Sequence, residues 1–188
     1  MLLEQEERWE VLWLEFSGQV EKLWAQPVAI TFGHGSRLSG YSHFPDLMAF
    51  FTDGSYGLLD VRPADLIDDA ARVQFGETAA VCDALGWRYR VLTGHDKRAT
   101  GNLDSLSASR HDRCRPGHQT ETLILSAARG GRSRGDLCQI ASPDCPPLAC
   151  AWVDNLAWRR LLHVDLGGVF SSETVYTTTE AASTGAAA

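Results

Sequence analysis

Two acids set on one hairpin constrain this chain most. Phe44-Pro45-Asp46 opens the apolar run Leu47 to Phe51, and Leu58-Leu59-Asp60-Val61-Arg62 closes the next one. Asp53-Gly54 lies between the runs and supplies turn chemistry, so residues 47–51 and 57–61 are expected to pair as antiparallel strands. Folding back on that turn brings Asp46 and Asp60 to one end of the hairpin. Arg62, two residues beyond Asp60, falls on the same strand face. Two carboxylates and a cation so placed are the groups a metal-dependent phosphodiesterase uses. A divalent cation held by carboxylates makes water nucleophilic beside a polyanion and offsets the charge that develops there. Crowded acids repel one another, and a bound cation lets both stay ionised. Magnesium, which keeps several waters in an all-oxygen site, suits such donors. The plainer reading of the same residues is a strand-start Asp after Pro and a solvated Asp-x-Arg pair.

A length of 188 residues provides one sizeable core and an appendage. No apolar run reaches membrane-spanning length, and residues 1–10 are acidic where a signal peptide is basic. A soluble cytoplasmic chain with no membrane partner is therefore expected. The five cysteines are odd in number and scattered, and none forms a Cys-x-x-Cys pair. Reduced thiols fit better than a disulfide framework, or than a zinc site drawn from Cys114, His118, Cys138, Cys145 and Cys150.

The net charge of −7 conceals an asymmetry. Residues 88–134 carry ten Lys or Arg against four acids, a net +6, and the remainder is −13. A basic middle that includes Arg88, Arg110, Arg113 and Arg115 has the charge of a phosphate-tracking surface, and equally that of a solvated helix face. Arg129 to Gly135 reads as a flexible basic loop.

Apolar residues at Leu3, Val11, Leu12, Leu14 and Phe16 among many acids predict a first helix, ended by Gly18. Short strands are expected at Pro27–Phe32 and Arg37–Tyr41, and then the acid-bearing hairpin. Pro63 stops that strand. Ala64–Leu85 has the strongest helical pattern, with Gly86 placed to terminate it, and Trp87–Leu92 alternates as a strand. The order helix, strands, helix, strand predicts an α/β domain over residues 1–94, with helices covering a mixed sheet. Residues 95–176 are expected to be mainly helical, with helices near Leu103–Ser109, Gln119–Ala128 and Pro147–His163. The Thr/Ala-rich segment from Thr177 to Ala188 is expected to be a disordered tail.

An ordered set of residues carries a more specific resemblance. It comprises Glu7-Arg8-Trp-Glu-Val-Leu-Trp-Leu-Glu15-Phe16, Val20, Ala25-Gln26-Pro27, Pro45-Asp46, Asp53-Gly54, Asp60-Val-Arg62-Pro63-Ala64-Asp65 and Ala80 to Val91. Over residues 7–92 the chain resembles the TnsA-type endonuclease subunits of heteromeric transposases. Arg113-Cys-Arg-Pro116 and Trp158 to Leu166 resemble that family's helical C-terminal part. The resemblance implies a restriction-endonuclease-like core with the PD-(D/E)xK pattern: an acid on the first helix, Pro-Asp, and Asp or Glu-x-Lys. It places the helix acid on Glu7, with Glu4, Glu6 and Glu10 as competitors within a turn or two, and the metal ligands on Asp46 and Asp60. Gln26 falls on the Gln-Pro position, where it lines a DNA-binding site or satisfies a strand end. His34 and His43 match no family motif and read as incidental.

Arg62 stands where the family has Lys. A guanidinium stays protonated, so Arg62 can clamp a phosphate but cannot act as general base. The implied function is Mg²⁺-dependent (or Mn²⁺-dependent) hydrolysis of DNA at the 5′ ends of a mobile element. The implied partners are DNA, a DDE-type transposase subunit and an ATPase regulator of transposition. Two alternatives stay open: a catalytically inactive assembly subunit, and a stand-alone restriction or repair nuclease.

Overall fold

The computed structural model describes residues 2–179, with side chains from Gln5 onward. The chain divides into two compact units, Met1–His95 and Asp96–Ala188.

The first unit opens with helix α1 (Leu2–Ser17), which ends where Gly18 takes a positive φ of 64°. Strand β1 (Val20–Ala25) follows, then a two-stranded ribbon of β2 (Ile30–Thr31) and β3 (Ser42–His43). The expected hairpin is β4 (Leu47–Phe51) and β5 (Tyr56–Val61). A short 3₁₀ turn at Ala64–Leu66 leads to helix α2 (Asp69–Leu85), and β6 (Arg88–Leu92) completes the unit. The main sheet has the order β1-β4-β5-β6; the first two pairings are antiparallel, and β5 with β6 is parallel. The observed architecture is thus α/β with a mixed sheet.

Alternation along the hairpin divides its residues between two faces. Leu47, Ala49, Phe51, Leu59 and Val61 form a buried cluster against Val11 and Leu14 of α1. The intervening positions, which include Asp60, face away from that cluster. On α2, Asp68 caps the first turn by accepting from the Ala71 amide at 2.8 Å, and Gly86 closes the helix in the left-handed region at φ 68°. The sequence pattern starts this helix at Ala64; the cap at Asp68 moves its start to Asp69, after the 3₁₀ turn.

The second unit contains α3 (Lys97–Ser107), α4 (His118–Ala127), α5 (Arg134–Ala141) and α6 (Pro146–Trp158). It also holds a three-stranded antiparallel sheet of β7 (Arg132–Ser133), β8 (Leu162–Val164) and β9 (Val175–Thr178) in the order β7-β9-β8. Its core includes Leu103, Leu106, Ile124, Leu137, Val153, Leu156, Leu162 and Tyr176. Arg134 donates to both carboxylate oxygens of Asp154, at 2.9 and 2.5 Å, and the Tyr176 hydroxyl donates to the same group at 3.1 Å, which joins α5, α6 and β9.

Three expectations change here. The basic segment 129–135 is not a loop throughout: Arg132–Ser133 pairs with β9, and Ser133 caps α5 by accepting from the Asp136 amide at 3.1 Å. The last long helix ends at Trp158 rather than His163, because Arg160 takes φ 60° and Leu162–Val164 pairs as a strand. Thr177 and Thr178, placed in a disordered tail, are paired in β9; residues 180–188 of that tail lie outside the described residues.

Candidate active site

Leu47 pairs with Leu59 across the hairpin, so the next step of the register sets Asp46 opposite Asp60. Side chains directly opposite on antiparallel strands have Cβ atoms about 4.5–5.5 Å apart. Both acids lie on the sheet face turned away from α1. Together with His43, Arg62 and Gln74 they line a cavity of about 400 Å³ whose far wall is the first two turns of α2.

Asp60 is 3 % exposed, and its Oδ2 is held twice: by His43 Nε2 at 2.9 Å and by the Tyr89 hydroxyl, which donates at 2.5 Å. Gln74 Nε2 donates to His43 Nδ1 at 2.7 Å, which leaves the ring proton on Nε2 and directs it to Asp60. Burial and the adjoining Asp60 carboxylate raise the Tyr89 pKa well above the usual phenol value, so this hydroxyl stays a donor. Asp46 is half-buried, and its Oδ2 accepts from the Val61 amide at 2.7 Å. Burial raises its pKa; the Val61 amide opposes that shift and the negative Asp60 adds to it. The other oxygen of each acid, Oδ1, takes no hydrogen bond within the described residues.

Arg62 donates from Nε to the Leu66 carbonyl at 3.4 Å and makes no ion pair with Asp60 or Asp65 among the described residues. Its positive charge acts on the Asp46 carboxylate across the cavity that both residues line, without a close ion pair.

The remaining predicted residues lie elsewhere. Glu7 is half-buried on α1, one turn before Val11, which packs on the opposite sheet face, and it is not among the cavity-lining residues. The deeply buried acid of that helix is Glu10, 2 % exposed. It accepts from the Gly94 amide at 3.1 Å and pairs with His95 Nε2 at 3.0 Å, and the His95 ring stacks on Trp13 at 4.4 Å. Glu6 is half-buried, and the Glu4 side chain lies outside the described ones. Gln26 touches the site through its backbone: its amide donates to the Asp46 carbonyl at 2.8 Å while its φ is 44°, a conformation uncommon outside glycine. Arg88 lies at the other end of the sheet, paired with Asp53 of the hairpin turn and 4.7 Å from the Phe51 ring centroid. In the second unit, Arg110 donates to the Ser107 carbonyl at 2.9 Å, Arg113 is exposed, and Arg115 lies 3.8 Å from Asp112.

Sequence reasoning passed over His43, Gln74 and Tyr89. No local spacing marks a histidine whose carboxylate partner lies 17 residues away. Tyr89 had a weak signal, since it alternates within β6 onto the face that carries Asp60.

Among the described residues no group of three or more His, Cys, Asp or Glu side chains is placed to hold a metal ion. The pair fits magnesium by its donor chemistry, because that ion is usually held by one or two carboxylates together with waters and substrate phosphate oxygens. No family model matches the sequence, and no curated protein matches it. No helix among the described residues is long and apolar enough to cross a membrane.

Proposed function

We propose that the first unit is a Mg²⁺-dependent endodeoxyribonuclease of the restriction-endonuclease-like class, serving as the TnsA-type subunit of a heteromeric transposase. One observation carries the reading: Asp46 and Asp60 oppose each other across the hairpin, each with an uncommitted Oδ1, in one cavity with the Arg62 guanidinium. The order helix, three antiparallel strands, helix, parallel strand is compatible with that class. A divalent cation bound there would lower the pKa of its water and offset charge on the phosphate.

Asp46 and Asp60 would hold the cation. The Val61 amide, His43 and Tyr89 fix the two carboxylates by occupying Oδ2 of each. Such outer contacts orient ligands and keep them from collapsing onto one another. Arg62 meets a phosphate oxygen and the charge that grows on it, and takes no proton.

A second reading, an inactive assembly subunit, is favoured by the absence of a third ligand near the pair among the described residues. Nicking of DNA carrying the element's ends, by the full chain with its transposase in Mg²⁺ or Mn²⁺, separates the two. The nuclease reading expects strand cuts that fall by at least about 100-fold in Asp46→Ala and in Asp60→Ala, with the complex still formed. A formed complex that never cuts establishes the assembly reading instead.

A further inference from the structure

Helices α5 and α6 are joined by residues 142–145, and each contributes a cysteine to their contact. Sγ of Cys138 lies 2.7 Å from Sγ of Cys150. Non-bonded carbon atoms settle about 3.5–4.0 Å apart and sulfur is the larger atom, whereas a disulfide closes to about 2.03–2.05 Å. The two thiols are thus already nearer than packing alone places them. Cys138 is 1 % exposed, Cys150 is half-buried, and Cys145 in the turn is exposed.

We propose that Cys138 and Cys150 are a dithiol site that closes to a disulfide by exchange with a small soluble disulfide of the glutathione class, linking α5 covalently to α6. This inference is independent of the nuclease reading.

Exposure sets the order of events. The Cys150 thiol loses its proton to solvent, and the thiolate attacks one sulfur of the small disulfide. That S–S bond breaks, one small thiolate leaves and takes up a proton, and Cys150 carries the other half as a mixed disulfide. Cys138 then loses its proton and its sulfur attacks Cys150 Sγ, releasing the second small thiol. Two protein thiols are oxidised and one small disulfide is reduced to two thiols, so electrons and protons balance. The contact between the two sulfurs makes this second step intramolecular; burial and the contact with Cys150 push the Cys138 thiol up to about 12, which lowers its thiolate fraction and makes this the slower step.

The full chain, incubated in buffers of rising oxidised-to-reduced glutathione ratio, then unfolded and alkylated, tests this. The five cysteines are expected to fall to three alkylated ones at the oxidising end and to return to five with dithiothreitol. Cleavage before aspartates separates residues 136–143, with Cys138, from residues 144–153, with Cys145 and Cys150. A mass linking these two peptides should persist in Cys145→Ser and vanish in Cys150→Ser. Because position 145 is exposed, the first variant keeps the test clear of folding defects. Five alkylated thiols at every ratio, or a link that disappears in Cys145→Ser, overturns the proposal.

Discussion

Asp46 is held in two opposing ways, and its titration reports the balance. The Val61 amide stabilises the carboxylate, while burial and the neighbouring Asp60 disfavour its charge, and the result is a pKa raised from the ordinary 3.8. The native chain then binds this proton more tightly than the unfolded chain does. Its stabilising contribution is complete below the ordinary value and is lost as pH rises through the raised one, so at neutral pH the ionised group opposes folding. Asparagine keeps an acceptor for the Val61 amide and carries no charge. Asp46→Asn is therefore expected to melt at a higher temperature than the parent at pH 7, with the gap narrowing as pH falls toward 3.8. Thermal melts across that window check it; a gap independent of pH would mean that the charge at Asp46 costs nothing.

At the scale of elements, the hairpin registers through Gly57. A Cβ there would lie 2.9 Å from Phe51 Cε2 and 3.1 Å from the Arg88 backbone carbonyl, so the close approach of β4, β5 and β6 at this point needs a residue without a side chain. Gly57→Ala is expected to cost about 1–3 kcal/mol by overpacking. Gly76 lies inside α2 with nothing within 4 Å of a built Cβ, and Gly76→Ala should gain about 0.5–1 kcal/mol. Urea unfolding of both variants measures the contrast, and equal effects would show that the β5–β6 contact is loose. The hairpin, α2 and β6 were legible in the sequence because alternation, a Gly C-cap and a turn dipeptide all agree there. Strand β1 was not: it is an edge strand with a bulge between Val20 and Lys22, and its half-buried positions recur every third residue instead of every second. Strands of two to four residues, such as β7 to β9, are too short to show a period at all. The start of α5 did leave a mark, Ser133-Arg-Gly-Asp136, a capping pattern hidden in a glycine-rich stretch. Of the candidate site, the acid pair and Arg62 were readable from spacing, whereas the groups that hold Asp60 come from β3, α2 and β6 and meet only on folding.

For the whole molecule, the proposed contact with DNA has to be weighed against a net charge of −7 by asking which cations are uncommitted. In the second unit the two packed helices α5 and α6 are joined by the short turn at residues 142–145. Helix α6 carries no Lys or Arg, and Arg134 and Arg159 are engaged with Asp154 and Glu121. Base reading by α6 through cationic side chains is therefore unsupported, and any DNA contact the proposed function asks of this unit would fall on phosphates. Arg113 is exposed and Arg115 has only a long, solvent-screened contact to Asp112, so these two can turn to a phosphate at little cost. Replacing both with Gln should weaken binding alike on every sequence and reduce the slope of log K against log salt by roughly 0.9 per lost contact. The measurement is a salt titration of DNA binding by the parent and the double variant on two unrelated duplexes. An unchanged slope would mean that these arginines are merely solvated, and a loss confined to one duplex would mean that they read bases.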